Sequence, residues 1–339
     1  MKVLITGGAG FIGSNAANRF MQRGDDVVVI DNLSRKGTAR NLGWLRGQGR
    51  FTFLDIDVRD AARIAGVFQE HSNVSLILHL AAQTAVTTSV SDPRLDFEVN
   101  ALGTFNILEG ARLSETSAPL IYASTNKVYG EMDDVEVAEG DGRYAYVNLP
   151  DGVSEGRSLD FHSPYGCSKG SADQYVRDYH RIYGLNTVVL RQSCIYGRRQ
   201  FGVEDQGWVA WFMIAAECGF PLTIYGDGKQ VRDVLYIDDL LDAFEAAAAN
   251  IKRAAGSVYN IGGGPDNGIC LLDLLRFLER RQGRPIVYRT AQARPGDQRV
   301  YVSDIRRAQR ELRWKPRIGW ELGLDKLYEW VCANRDELR

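Results

Sequence analysis

Long apolar runs are missing from this 339-residue chain, although 45% of its residues are hydrophobic. No stretch of 18 apolar residues offers a membrane-spanning helix, and the opening MKVLITGG lacks the apolar region of a secretory leader. Cysteine is scarce as well. Cys167, Cys194, Cys218, Cys270 and Cys332 are odd in number, widely spaced and free of any CxxC pair. That excludes a disulfide framework and a zinc ribbon, and points to free thiols in a reducing cytoplasm. His71, His79, His162 and His180 show no metal-ligand spacing, so no metal is expected. Charge of one sign is missing too. The 41 Lys and Arg stand against 43 Asp and Glu without a basic block, which argues against nucleic acid and membrane surfaces as partners. The expectation is a cytoplasmic protein with one large domain and a smaller companion.

What is present is alternation. KVLITG, DVVVID, RFTFLDID, SLILHLAA, LIYAS and NTVVLRQS read as buried strands, and helical patterns follow most of them. Strands and helices alternating at this length predict an α/β, Rossmann-type doubly wound parallel sheet. A polar segment follows DVVVID. Between Gly130 and Pro164 the periodicity fails, which reads as a long active-site loop. The expected division assigns 1–195 to a dinucleotide-binding domain, with a returning segment at about 223–250. It leaves 196–222 and 251–339 to a smaller C-terminal substrate-binding domain.

The first strand runs into ITGGAGFIGS, which places Gly7, Gly10 and Gly13 between a strand and a helix that begins at Phe11 and Ile12. Such a loop lets backbone approach a pyrophosphate at the positive end of a helix. Asp31 closes the second strand, where a carboxylate accepts from adenosine ribose hydroxyls and repels a 2′-phosphate. NAD is therefore favoured over NADP, with Arg35 and Lys36 as the cations that would serve the phosphate instead. Asn32 and Ser34 share that loop. Asp57, with Val58 beside it, reads either as a contact to adenine or as a helix N-cap, a place for which Asp60 competes. Leu80, Ala81, Ala82 and Gln83 offer small residues for a cofactor to lie against, or simply a tightly packed strand end. Asn100 reads equally as a ligand and as a helix-start residue.

Two further stretches carry chemistry. PYGCSK spaces Tyr165 and Lys169 four apart, so phenol and ammonium share a helix face. A nearby ammonium and a positively charged nicotinamide both favour the phenolate and make it a usable base. ASTNKVYG ends an apolar run with Ser124, Thr125, Asn126 and Lys127, at the strand end where such sheets bind ligands.

Together, TGGAGFIG, the hydroxyl-bearing strand end and YGCSK resemble the extended short-chain dehydrogenase/reductase family, the NAD-dependent epimerases and dehydratases of nucleotide sugars. Within it the likeness is to the branch that inverts C2 of CDP-linked dideoxyhexoses. DNLSRKGTARNLGWL, LDFHSPYGCSKGSADQY, YGRRQFGVEDQGWV, GKQVRDVLYIDD and GDQRVYVSDI carry it. The resemblance implies that Thr125 bonds the reacting sugar oxygen and that Tyr165 is base and then acid. Lys169 would tune Tyr165 and hold the nicotinamide ribose, and Ser124 and Gln192 would lie against the cofactor. It implies substrate contacts at Thr87, Ser124, Asn126, Lys127, Gln206, Gly207, Arg232 and Arg294, with Arg299 near the diphosphate. Arg198 and Arg199 read as ordinary surface charges. In the 4,6-dehydratases the positions of Asn126 and Lys127 typically hold an Asp and a Glu that drive loss of water. An amide has no proton to exchange, so elimination is not expected and both residues read as substrate holders, with strand-end solubility as the alternative. One departure is Cys194, where many relatives carry an Asn. The expected activity is NAD-dependent epimerisation at C2 of a CDP-sugar by a homodimer or homotetramer. The alternatives are a UDP-hexose 4-epimerase and an inactive NAD-binding sensor.

Overall fold

The computed structural model describes residues 1–293 and 298–339. Four short strands, β1 (Lys2–Thr6), β2 (Asp26–Ile30), β3 (Thr52–Leu54) and β4 (Leu76–His79), are joined to a longer one, β5 (Leu120–Thr125). With the strands Thr187–Gln192 and Val258–Ile261 they form one seven-stranded parallel sheet. Its order is Val258–Ile261, Thr187–Gln192, β5, β4, β1, β2, β3. The chain leaves β1 towards β2 on one side and returns through β4 on the other, so the crevice between β1 and β4 is the topological switch point, where ligands bind in open α/β sheets.

Alternation along each strand builds two cores. Val3, Ile5, Val27, Val29 and Leu78 face helix α1 (Phe11–Gln22), which contributes Ala16, Ala17 and Phe20. Leu4, Ile30, Ile77 and Tyr122 face the other way, onto Phe68, Ile107, Leu108, Ala172 and Val176. Covering both faces is what makes the strands continuous Val, Ile and Leu runs.

The smaller part is built around the strand Val231–Tyr236. Gly268–Cys270 pairs with it antiparallel, while Val300–Tyr301 and Cys194–Tyr196 pair with it in parallel. The strand Val258–Ile261, which the expected division left outside the large sheet, is that sheet's edge, and all four of its residues are buried. The polar segment after β2 folds into the helix Thr38–Arg46, entered through Gly37 at φ 89°. Within the expected long loop lies a hairpin, Val137–Gly140 paired with Arg143–Tyr146. Its two turn residues, Asp141 (φ 53°) and Gly142 (φ 73°), are an Asp-Gly pair of the kind that favours two-residue hairpins. No helix among the described residues is long and apolar enough to cross a membrane.

Candidate active site

Close backbone contact shapes the glycine loop. Gly7 has φ +66°, and a Cβ there would stand 2.7 Å from the Ala81 nitrogen, so the loop is seated directly on the end of β4. A Cβ on Gly13 would run into the Gly7 carbonyl, so helix and loop pack closely only with glycine there. α1 starts at Gly10 with neither a side-chain cap nor an acidic residue in its first turn, which leaves its first N–H groups for an anion. At the end of β2 the buried Asp31 accepts from the Ala9 N–H at 3.0 Å and the Leu33 N–H at 2.8 Å. Burial raises its carboxyl above the usual range. The carboxylate therefore ties the glycine loop to the β2 loop from the position expected to meet ribose.

Asp57 and Asp60 separate into two tasks. Asp60 accepts from the Arg63 N–H at 3.0 Å and caps the helix Ala61–Glu70. Asp57 is gripped by Arg59 and takes 2.8 Å bonds from the Arg59 guanidinium and the Asn32 amide. These bonds hold it down at about 2. Ser34 donates to the Asn32 carbonyl, and Arg35 reaches across the cleft to Thr84 and Gln206. Val58 is buried in the core.

Gln83 and Asn100 are bound to each other. The Gln83 N–H donates to Asn100 Oδ1 at 2.9 Å, and the Asn100 amide returns a bond to the Gln83 carbonyl at 3.0 Å. The same amide reaches Asp96 and Ser168, both at 3.1 Å. Asn100 is 1% exposed and lies within the helical turn Glu98–Leu102. It braces the loop after β4 against the helix Ser163–Tyr183 that carries Tyr165.

Tyr165 and Lys169 project from that helix towards the end of β5. Burial raises the Tyr165 phenol above its ordinary value, and a hydrogen bond with Thr125 and the charge of Arg35 pull the other way. The Lys169 ammonium donates to the Ala123 carbonyl at 2.6 Å, and burial pushes it down to about 7. Of the charges around the phenol, Asp96 pushes it up and Arg35 draws it down. Thr125 caps the short turn Asn126–Tyr129 and accepts from the Lys127 N–H at 3.3 Å. The Thr125 hydroxyl lies 3.4 Å from Asn126 Oδ1.

Ser124 faces inward. Its hydroxyl donates to Asp173 at 2.8 Å, and Asp173 is clamped by Arg191 at 2.9 and 3.0 Å. Arg191 also donates to the Tyr129 hydroxyl at 3.1 Å, which donates to Asn260 at 2.7 Å. Asp173 and Arg191 were not singled out in the sequence. The available signals were an acid four residues after Lys169 and an arginine inside the apolar run VVLRQ.

Gln192, in register with Thr125, is 7% exposed, and its amide nitrogen has no hydrogen-bond partner among the described residues. A buried donor left open beside the Tyr165 face, an uncapped α1 and a backbone cradle are what a dinucleotide requires. Phe11, Ile12, Leu80, Ala81 and Ala82 are partly buried around that cradle. Thr87 is exposed on the helix Val86–Ser91. Gly207 (φ 75°) begins the helix Trp208–Cys218, whose Trp208 indole donates to Cys194 Sγ at 3.0 Å. Arg232 lies on the central strand of the smaller sheet, and Arg299 stacks on Tyr144. Arg294 lies outside the described residues.

The reading of Arg198 and Arg199 as surface charges holds for the part-exposed Arg198 and needs correction for Arg199. Arg198 pairs with Asp238 at 2.8 Å. Arg199 is 4% exposed, bonded to Asn41 at 2.8 Å and ringed by Trp44, Phe201 and Trp330. Planar guanidinium stacks on aromatic faces at little desolvation cost, which lets it be buried there.

These features define a class of nucleotide-sugar enzymes. The family described as GDP-mannose 4,6 dehydratase matches residues 4–327, and the chain belongs to this family of extended short-chain NAD-dependent epimerases and dehydratases. CDP-paratose 2-epimerase of Salmonella typhi is 45% identical over 338 residues, covering 98% of this chain and all of that protein. Among solved structures, UDP-glucose 4-epimerase of Thermotoga maritima with UDP-glucose has a TM-score of 0.85 at 31% identity, over 98% of this chain and 99% of that one. DesIV, a dTDP-glucose 4,6-dehydratase of Streptomyces venezuelae solved with NAD, also scores 0.85, at 30% identity over the whole of both chains.

Proposed function

We propose that the protein is a cytoplasmic NAD-dependent epimerase that inverts C2 of a CDP-linked hexose through a transient 2-keto sugar. The observation that carries this reading is the pair Asn126 and Lys127 after Thr125. An amide and an amine stand where loss of water would need acids, so the site favours redox at a hydroxyl-bearing carbon without elimination. The 45% identity with a CDP-paratose 2-epimerase supports C2 and cytidine. When bound, NAD supplies a reversible hydride acceptor. The glycine loop and the α1 N-terminus hold its pyrophosphate, and Asp31 meets its ribose. Tyr165 takes the C2 hydroxyl proton and later returns it, Thr125 fixes that oxygen, and Lys169 holds the nicotinamide ribose. Arg232 and Arg294 anchor the substrate diphosphate while the 2-keto sugar turns over.

The path of hydrogen tests this. A C2–H without a neighbouring carbonyl is not acidic, so no side chain removes it as a proton. CDP-sugar deuterated at C2 is expected to give epimer that keeps its label at C2 in ordinary water. Washout at C2, read by NMR, would indicate enolisation from a ketone formed at another carbon. Inversion at C4 of a UDP-hexose alone would assign the chain to the 4-epimerases.

A homodimer or homotetramer is the proposed assembly. The helices Gly103–Leu113 and Ser163–Tyr183 lie side by side and expose Leu113 (65%), Tyr175 (52%) and Ile182 (66%). Apolar side chains aligned on two neighbouring helices suit four-helix pairing with a second copy. Leu113→Glu with Ile182→Glu is expected to sediment as a monomer where the wild type is a dimer or larger. A monomeric wild type at micromolar concentration would reject this assembly.

A further inference from the structure

Lys169 is a buried cation with few acceptors around it. It is 3% exposed, and the only hydrogen bond of its ammonium among the described residues is the one to Ala123 at 2.6 Å. A single carbonyl is little compensation for a buried charge. The carboxylates that act on it are Asp173, one turn further along its own helix, and Asp96 on the helix Pro93–Phe97. Both are engaged elsewhere, Asp173 by Arg191 and Ser124, and Asp96 by Ser168, Gln83 and Asn100. What lies against the ammonium is an aromatic ring: Nζ stands 4.2 Å from the centroid of Tyr122.

That ring is itself held in place. The β4–β5 register sets His79 beside Tyr122, and the two rings stack at 5.5 Å with 29° between their planes. Thr104 gives its hydroxyl proton to the Asn100 carbonyl at 2.6 Å, so at 2.9 Å it accepts from His79 Nε2–H. His79 Nδ1 then accepts from the Thr6 hydroxyl at 2.7 Å. Both ring nitrogens are used in the neutral form, and burial together with the Lys169 charge pushes His79 down to about 3. No second cation therefore competes for the Tyr122 ring from that side.

We propose that Tyr122 is a positioning residue for Lys169, its ring face seating the ammonium at the end of β5 so that the remaining N–H donors serve the cofactor ribose. A ring face attracts a cation without accepting its proton or adding a negative charge. The ammonium is thereby placed without being locked in the charged state, in keeping with a Lys169 value of about 7. This inference rests on the role given to Lys169 in the proposed function.

Three substitutions at 122 separate the ring from the fold: Tyr122→Phe, Tyr122→Leu, and incorporation of pentafluorophenylalanine, which keeps the shape but removes the negative face. The readouts are bound NAD(H) after gel filtration between pH 6 and 9, and the pH profile of kcat. Lys169 acts as ammonium, so its contribution is present at low pH and is lost as pH rises through its folded value. Phe is expected to match the wild type. Leu and the fluorinated ring are expected to move the loss of NAD(H), and the alkaline limb of kcat, down by about one pH unit. If Leu fails to fold, Phe against its fluorinated counterpart decides. Retention profiles that do not distinguish the three would overturn the role of Tyr122. A wild type that holds no NAD(H) at any pH would instead reject the cofactor reading itself.

Discussion

Tyr165→Phe is expected to lower kcat by about 10²–10⁴-fold while leaving substrate affinity within a few fold, the range general acid–base catalysis usually supplies. The phenol is buried at the end of a helix, touches Thr125 and has no role in the core beyond its ring, which Phe keeps. Burial, with the charge of Asp96, favours its protonated form. Arg35 favours the phenolate, and the cofactor's positive ring adds to it once bound. The base should therefore be competent only in the loaded enzyme, with turnover rising with pH on the acidic limb of the profile. Steady-state rates with C2 epimerisation as readout check this. Near-normal turnover in the Phe variant would mean that the proton leaves through another group.

The second large effect concerns stability. Asp173 and Arg191 are 0% and 2% exposed in their side chains and bonded at 2.9 Å. Removing one partner leaves an uncompensated buried charge, at a cost of about 3–5 kcal/mol, whereas replacing both with apolar residues of similar volume is often neutral. Arg191→Met alone is expected to lower the urea midpoint sharply. Arg191→Met with Asp173→Leu should recover much of the loss, and a single variant within about 1 kcal/mol of wild type would show that the pair carries no such burden. Because Ser124 and Tyr129 hang on the same pair, the double variant should also lose activity after it regains stability.

How far the sequence could be read follows from which forces are local. The glycine loop, Asp31 and the parallel strands were legible because each depends on a strand, a turn and a helix adjacent in the chain. The Tyr165–Lys169 spacing needed only one helix. By contrast, Asp173 looks like a solvated helix acid until Arg191, from the next strand, is placed against it. Arg199 reads as surface until residues 44, 201 and 330 converge on it. Asn100 had two local readings, and the structure supplied a third from Gln83 and Ser168. The Asp141–Gly142 turn was a local signal, and the polarity of its surroundings masked it.

The placement of Val258–Ile261 has a consequence for how the chain is made. As the ribosome releases it, the segment through Gln192 already contains the glycine loop, Thr125, Tyr165, Lys169 and the Asp173–Arg191 pair. It lacks Asn260, to which Tyr129 donates, and the edge strand itself. Until synthesis passes residue 261, Thr187–Gln192 is an open border of six buried-type residues, inviting pairing with another nascent chain. Six strands of the large sheet are thus made first, and its seventh arrives only after two strands of the smaller sheet have been made.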